Sequence, residues 1–467
     1  MTDDPRRPMP PLGPPYAAPS DRPPPPTYPP APPEQWPSPP PLLPTPALVA
    51  TSPRRWSEAR RRQVLLWGAI AVVIGVIAGV AVANSTNDDF AAAAPPVLTT
   101  PSSESSSEGS TASESTTSTT EPQDLNRVVL DIEKFVERER GLTFKQPVAV
   151  RLAGEGEFQR LLLTDFDKEL PALREEQQVL TAVGLIPLGT DVVREERSLL
   201  SIGVVGFYDP ETKQLVVRGS TITPYVREVL AHELTHALDD QWFDLNRPQL
   251  DNPDDESGFG FLGLIEGNAR RIENAYLSSL PRVEQEEAAA EEAELVAQHP
   301  EVFRLPPILL TLAQAPYDHG PAFVQALLDA GGQTSLDAAF SSLPVTSEQI
   351  LDPNRFLAGE GPVVVPDPPT DAPAANVGVL GELLLREMLF ESLTSGSEID
   401  SAITGWGGDR YVTWTDAAGK TCLRDSFIGD SPADTQEVVR AITQWASDHD
   451  GVVDAPAGGP ASFTVCA

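Results

Sequence analysis

The sequence predicts an α+β fold that is rich in helix and follows a disordered tail, one transmembrane helix and a flexible linker. Three observations along the 467 residues predict it. Proline crowds the first fifty residues, and an apolar run and a Ser/Thr-rich stretch come next. Only from about residue 124 do aliphatic and aromatic residues recur at the spacing of helices and strands. We therefore assign residues 124–467 to a globular domain.

The N-terminal segment, residues 1–52, contains runs of consecutive proline. It has too little apolar surface to offset the entropy lost on ordering, so we expect a disordered tail with polyproline II character. Such a tail could bind a proline-recognising partner in the cytoplasm. A flexible tail without a dedicated partner is the alternative.

The next segments have the pattern of a membrane anchor. Residues 64–83 carry no charge, and a helix of that length would be about 30 Å long, the thickness of a bilayer core. The basic segment 53–63 precedes the run and contains five arginines, which predicts a cytoplasmic N-terminus. Residues 84–123 read as a solvated linker. We thus expect a single-pass protein of the cell membrane with its globular domain outside the cytoplasm.

Within the globular part, apolar spacing and turn residues predict several elements. In chain order these are a helix from Leu125 to Val136, a strand near Val148–Leu152, a helix over 170–183, a hairpin over 203–219, a helix over 224–243 and a solvated acidic helix over 284–298. The hairpin could offer a strand edge to an extended peptide. A purely structural hairpin is the alternative.

Charge and cysteine content exclude some functions. The 68 acidic residues outnumber the 33 basic ones, which argues against a nucleic-acid partner because phosphate binding requires clustered Lys and Arg. Two cysteines, Cys422 and Cys466, are too few for a site of four thiolates. In an oxidising compartment they could form a disulfide.

The pentapeptide HELTH, residues 232–236, has the HExxH pattern. Residues four apart lie on one face of a helix, so both imidazoles could bind one metal ion. Glu233 points about 100° away and could take a proton from a water that the metal activates. The residues flanking the pentapeptide are uncharged, as a buried active-site helix requires.

A third ligand is predicted at Glu266, on the helix-like segment LGLIEGNARRIENAY. A carboxylate among aliphatic residues costs several kcal/mol unless it is paired or bound to metal. Two imidazoles and one carboxylate are a common ligand set of catalytic zinc. We therefore predict a Zn²⁺ ion bound by His232, His236 and Glu266, with Glu233 as general base.

These residues resemble the gluzincin metallopeptidases, in which a glutamate from a second helix completes HExxH. The stretch HELTHALDDQWFDL, with GFYDP before it and GWGGDRY at 405–411 after it, is similar to bacterial neutral zinc metallopeptidases of that clan. The resemblance implies a zincin-like metallopeptidase domain and the ligand and base roles given above. The interval from His236 to Glu266 is longer than in thermolysin-like enzymes, and the acidic stretch 251–258 accounts for the extra length.

Four further residues are candidates for supporting roles. Asp239 and Asp240 lie about one turn beyond His236, where either could orient an imidazole. Carboxylates without a role at the helix end are the alternative. Tyr317 and His319, in PYDHGPAF, could donate to the oxyanion of a tetrahedral intermediate. The alternative is that they are loop residues outside the cleft.

The expected function is that of a membrane-anchored, extracytoplasmic zinc peptidase acting on peptide or protein substrates. Two alternatives remain open. One is a surface-displayed binding or structural module that contains zinc but has no useful turnover. The other is a zinc amidase that acts on cell-wall peptides.

Overall fold

The computed structural model describes residues 125–164, 166–250, 255–393 and 395–467. The predicted tail, basic segment, spanning helix and linker all precede residue 124 and lie outside this part of the chain.

The described helices do not support the membrane part of the predicted fold class. Across the four described ranges, no helix is both long enough and apolar enough to cross a membrane. The longest helix, Pro307–Ala339, is interrupted by non-helical backbone at Gly331 and Gly332. Two prolines and several polar side chains also lower its hydropathy.

The N-terminal part of the described chain is mostly helical and carries one small sheet. Its elements are α1 (Leu125–Arg140), β1 (Ala149–Ala153), α2 (Glu155–Leu162), α3 (Leu170–Ala182), α4 (Val192–Gly203), β2 (Gly206–Asp209), β3 (Gln214–Arg218), α5 (Pro224–Phe243), α6 (Ser257–Ser279), α7 (Arg282–Gln298) and α8 (Pro307–Ala339). The helices and strands predicted between residues 125 and 298 all have a counterpart here.

The small sheet has the strand order β1-β3-β2. The predicted hairpin forms its antiparallel pair, β2 with β3, and β1 joins β3 in parallel. Asp209 closes the turn because its carboxylate accepts the backbone N–H groups of Glu211 and Thr212. Lys213 takes the left-handed conformation that this turn requires, with φ of 58°. Strand β2 is left at the edge of the sheet.

The C-terminal part combines short helices with a second sheet. Its elements are α9 (Ser347–Leu351), α10 (Pro353–Ala358), β4 (Asn376–Gly378), α11 (Gly381–Phe390), α12 (Gly396–Ile403), β5 (Trp406–Thr415), β6 (Thr421–Gly429), α13 (Pro432–Asp448), β7 (Val452–Asp454) and β8 (Ala461–Cys466). The strands form an antiparallel five-stranded sheet in the order β4-β5-β6-β8-β7.

A disulfide closes one end of this second sheet. Cys422 of β6 and Cys466 of β8 are directly opposite in the strand register, and their sulfur atoms are bonded. Closing a loop between residues 44 positions apart stabilises a fold by about 4 kcal/mol in the chain-entropy account.

Both parts contribute to one hydrophobic core. Phe158 and Val204 of the N-terminal part belong to the same buried cluster as Leu389, Trp445 and Phe463 of the C-terminal part. The second sheet is therefore packed onto the helical part through shared apolar side chains.

Helices α6 and α8 approach each other closely because both have glycine at their contact. A Cβ atom on Gly320 of α8 would lie 2.9 Å from the Cα atom of Gly267 of α6, and it would also collide with the carbonyl oxygen of Gly263. Glu266 is adjacent to this contact. The glycines thus set the distance between α8 and the helix that carries the predicted third ligand.

We expect Gly320→Ala to destabilise the protein, because the added methyl group pushes the two helix backbones apart. Overpacking of this kind costs about 1–3 kcal/mol, measurable as a lower midpoint of urea unfolding. Gly156→Ala is the matched control, since a Cβ at that position of α2 meets nothing within 4 Å. An equal midpoint for the two variants would show that the close contact has no energetic role.

Candidate metal centre

The helix that carries HExxH is fixed at its start and buried along most of its length. The Thr223 hydroxyl accepts the backbone N–H of Val226, and Pro224 occupies the first turn, where its missing N–H costs nothing. Buried residues then run without a break from Val229 to Asp240. A helix enclosed on all sides needs uncharged flanks, and this explains the composition around the pentapeptide.

Three predicted ligands meet at one point between α5 and α6. The Nε2 atoms of His232 and His236 are 3.0 Å apart. Oε2 of Glu266 lies 3.1 Å from Nε2 of His232 and 3.4 Å from Nε2 of His236. All three side chains are buried, and the structure thus brings the two imidazoles and the carboxylate together.

The donor set of this cluster fits a zinc ion. Two imidazole nitrogens and a carboxylate oxygen match its usual ligands. Within the described residues, Oε1 of Glu266 and Oε1 of Glu233 are buried without a hydrogen-bond partner. Unpaired buried carboxylate oxygens are costly, and a cation beside them would remove that cost.

The charges within the cluster already favour a cation at its centre. Burial acts to raise the pKa of Glu266, but the facing imidazoles of His236 and His232 lower it to about 2. Burial acts to lower the pKa of His232, but its hydrogen bonds to Glu266 and Glu273 raise it to about 10. Without a bound cation, a proton on His232 thus provides positive charge beside the carboxylates.

Glu273 is a residue of the cluster that the sequence analysis did not identify. Its Oε2 atom lies 2.9 Å from Nδ1 of His232, and its Oε1 atom accepts a hydrogen bond of 2.6 Å from Arg270. A carboxylate on the far ring nitrogen fixes the tautomer that leaves Nε2 free for a metal. The available signal was its spacing, since Glu273 lies two helical turns after Glu266.

Strand β2 holds the predicted general base in place. The backbone N–H of Tyr208 donates to Oε2 of Glu233 over 2.8 Å. The remaining oxygen, Oε1, is therefore the atom of Glu233 that is available to accept a proton. Burial raises the pKa of Glu233, although the neighbouring imidazoles oppose this shift.

Asp239 and Asp240 bind partners other than the imidazoles. Asp239 pairs with Arg140 over 2.6 Å and accepts a hydrogen bond from Asn268 over 2.7 Å. Asp240 accepts hydrogen bonds of 2.6 and 2.7 Å from the Tyr208 hydroxyl and Lys213. Both aspartates thus join α5 to surrounding elements. The carboxylate that hydrogen-bonds to the His232 imidazole belongs to Glu273.

Tyr317 and His319 lie within helix α8, where the sequence had suggested a loop as the alternative. The Tyr317 ring is buried with its centroid 6.2 Å from that of His232, and its hydroxyl hydrogen-bonds to Glu266. His319 is two residues further on, about 200° around the helix, so it faces another direction. Burial lowers the pKa of His319, with Asp318 and Arg386 as its charged neighbours. The structure therefore brings Tyr317, and not His319, to the cluster.

A family model described as a domain of unknown function (DUF8575) matches residues 372–462. No curated protein and no solved structure matches the chain. The matched range covers most of the second sheet together with α11, α12 and α13. It does not include the residues of the ligand cluster. The cluster must therefore be interpreted from its own geometry.

The quoted stretch GWGGDRY falls inside the matched range and has structural contacts. Trp406 is fully buried. Gly408 passes so close to the chain at Val363 that a Cβ atom would collide with a backbone oxygen. Arg410 pairs with Asp367 over 2.8 Å. The stretch therefore shapes the second sheet and its surroundings.

Proposed function

We propose that the chain is a zinc-dependent peptidase that hydrolyses peptide bonds in peptide or protein substrates. The observation that carries this proposal is the convergence of the nitrogens of His232 and His236 with Oε2 of Glu266, all within 3.4 Å of one another. Beside them lies Glu233, whose Oε1 atom has no hydrogen-bond partner in the described part of the chain.

A zinc ion bound by these three side chains would supply Lewis-acid activation of a water molecule and of the scissile carbonyl. Glu233 accepts the proton of the attacking water at Oε1 and then delivers it to the leaving amine. The N–H of Tyr208 prevents the carboxylate from turning away. Burial, together with Glu266 and Glu233, raises the pKa of Tyr317, so its hydroxyl stays protonated and can donate to the developing oxyanion.

One observation favours a second candidate, a module that contains zinc without turnover. Glu233 is only 2 % exposed, and the three ligands are also buried. Closed, four-coordinate sites are typical of structural zinc, and Glu233 would then be the fourth ligand. The two candidates predict different results when Glu233 is changed. A structural site loses metal affinity when Glu233 is changed, whereas a catalytic site loses activity and keeps its zinc.

The disulfide between Cys422 and Cys466 supports a location outside the cytoplasm. Such bonds persist in oxidising compartments and are rare where thiols are kept reduced. We propose an extracytoplasmic site of action on this ground.

Zinc content tests the ligand assignment. We expect wild type to bind zinc in a one-to-one ratio and His236→Ala and Glu266→Ala to lose it, because each removes a ligand from a three-residue set. Glu273→Ala should bind zinc about 10–100-fold more weakly, since His232 loses the carboxylate that orients it. Equilibrium dialysis against buffered zinc measures all four proteins.

His319→Ala is the matched control, because this imidazole faces away from the cluster and should leave zinc binding unchanged. Wild-type affinity in Glu266→Ala would remove the third ligand from the proposal. Incubation of the zinc-loaded protein with an unfolded protein and with cell-wall peptides then distinguishes a peptidase from an amidase.

A further inference from the structure

Two buried carboxylates lie side by side in the second sheet, away from the ligand cluster. Asp409 of β5 is opposite Phe427, and Asp425 of β6 is opposite Tyr411. The two aspartates are therefore diagonal neighbours on one face of an antiparallel pair, within reach of each other. They are 7 % and 1 % exposed, and their side chains are hydrogen-bonded to each other.

A hydrogen bond between two carboxyl groups requires a proton on one of them, because an ionised carboxylate can only accept. Asp409 is the acceptor. Its Oδ2 atom accepts the backbone N–H of Leu380 over 2.7 Å. Its Oδ1 atom accepts the N–H of Gly381 over 2.9 Å and the indole N–H of Trp406 over 3.1 Å. Asp425 must then be the donor.

The donors at Asp409 belong to the start of a helix. Leu380 and Gly381 begin α11, whose first N–H groups lack partners within the helix. Asp409 thus joins the sheet to the positive end of α11, and a negative charge is favoured there. Its neighbour Asp425 has no such donors, and its Oδ1 atom is buried without a partner among the described residues.

We propose that Asp425 is protonated at neutral pH and that this proton stabilises the contact between the C-terminal sheet and the start of α11. This contact, the joint formed by Asp409, Asp425, Leu380 and Gly381, is therefore more stable in acid than in alkali. The electrostatics agree with the geometry. Burial raises the pKa of Asp425 well above its usual range, and the charge of Asp409 adds to the shift.

The other charged groups around the joint are mainly acidic and add to its sensitivity. The Glu256 carboxylate, at the start of α6, lies against Gly381, and burial with nearby Asp409 and Glu382 raises its pKa to about 8, although Ser347 donates to it. Glu382 has a pKa of about 7, raised by burial and lowered in part by Arg386 and Arg355.

The helices packed on β6 also carry charged groups. Asp434 of α13 packs against Gly405 and Gly429, at the ends of β5 and β6. On the α3 side, the charge of Glu176 adds to the raised pKa of Glu196 of α4. Loss of the shared proton therefore places a second negative charge in a region that already holds Glu256 and Glu382.

Arg386 of α11 also lies close enough to His319 of α8 to affect its pKa. This inference does not depend on the proposed peptidase activity, because neither aspartate contacts the cluster.

The test compares Asp425→Asn with Asp409→Asn in the full chain. Asparagine at 425 supplies a permanent N–H donor to Asp409 without titrating. In wild type, unfolding releases the proton of Asp425 at any pH between its unfolded and folded pKa values. The unfolding constant of wild type relative to Asp425→Asn should therefore increase as the pH rises above the usual pKa of an aspartate, by up to about tenfold for each pH unit.

Asp409→Asn should destabilise the protein, because it removes the charge that accepts three N–H groups. We expect its unfolding midpoint in urea to lie below that of wild type at every pH. Infrared spectra at pH 7 provide a direct readout, since the carbonyl band of a protonated aspartic acid should disappear in Asp425→Asn. A ratio of wild type to Asp425→Asn that does not change with pH, or an unchanged infrared band, would overturn the proposal.

Discussion

Glu233→Gln is expected to lower kcat for peptide hydrolysis by about 10²–10⁴-fold while zinc stays bound. Glutamine keeps the shape of the side chain and can still accept the N–H of Tyr208, but its amide cannot take a proton from water. The ligands His232, His236 and Glu266 are unchanged. The loss should therefore appear in kcat, whereas zinc content remains that of wild type.

The matched control for this change is Glu196→Gln. Glu196 of α4 is also a buried glutamate, and burial raises its pKa well above the usual range, with the charge of Glu176 adding to the shift. Glutamine keeps the shape of this side chain, which is neither a predicted ligand nor the predicted base, so turnover and zinc content should both stay at the wild-type level. Turnover with an unfolded protein substrate and zinc content would be measured for both variants. Loss of zinc from Glu233→Gln would favour the structural module, and unimpaired turnover would remove Glu233 as general base.

The part of the site that could be predicted from sequence is the part fixed by local geometry. His232, Glu233 and His236 lie within two turns of one helix, so their spacing alone places the two imidazoles together. Glu266 could be found because a carboxylate in an apolar stretch needs a partner. Glu273 was harder to identify, because it follows Arg270 and Arg271 in a segment whose composition is typical of a solvated helix face, and its signal was the spacing of two helical turns from Glu266.

Tertiary contacts determine which groups Asp239 and Asp240 bind. Asp239 and Asp240 have the spacing to reach an imidazole, but Arg140, Tyr208 and Lys213 come from distant segments and bind them instead. No spacing rule within α5 could have identified those partners. The same limitation applies to the second sheet, whose strands after residue 376 were not predicted.

The segment PYDHGPAF shows how packing overrides a local signal. Proline lacks the N–H of a helix interior, so two prolines within six residues favour a loop. In the structure Pro316 and Pro321 lie inside α8. Gly320, between them, allows α8 to approach α6 closely, and the apolar contacts of the buried helix outweigh the lost hydrogen bonds. This packing is what brings Tyr317 to the cluster.

A single buried arginine connects the helices that carry the site. Arg140 ends α1 and is fully buried. Its guanidinium pairs with Asp239 of α5 over 2.6 Å and with Asp337 of α8 over 2.7 Å, and it donates to Gln333 over 2.8 Å. Asn268 of α6 donates to the same Asp239. Three helices thus meet at this cation, and α6 is joined to them through Asp239.

We expect Arg140→Met to destabilise the protein by about 3–5 kcal/mol, the cost of leaving a buried charge without its partner. Methionine fills a similar volume, so the loss of stability reports mainly the unpaired carboxylate of Asp239 and only to a small extent a cavity. Unfolding in urea, followed by circular dichroism, gives the free energy of unfolding. Arg282→Met is the matched control, because Arg282 and Glu286 form an exposed pair on α7 that should contribute at most about 1 kcal/mol.

The double variant Arg140→Met with Asp239→Asn separates the lost charge from lost packing. Asparagine at 239 carries no charge and can still accept the hydrogen bond of Asn268, so part of the stability should return. If Asp239→Asn restores nothing to Arg140→Met, the arginine acts through its packing against Phe243 and Phe340. If Arg140→Met alone is as stable as wild type, the ion pairs do not hold these helices together, and the position of α5 beside α6 must come from the apolar core.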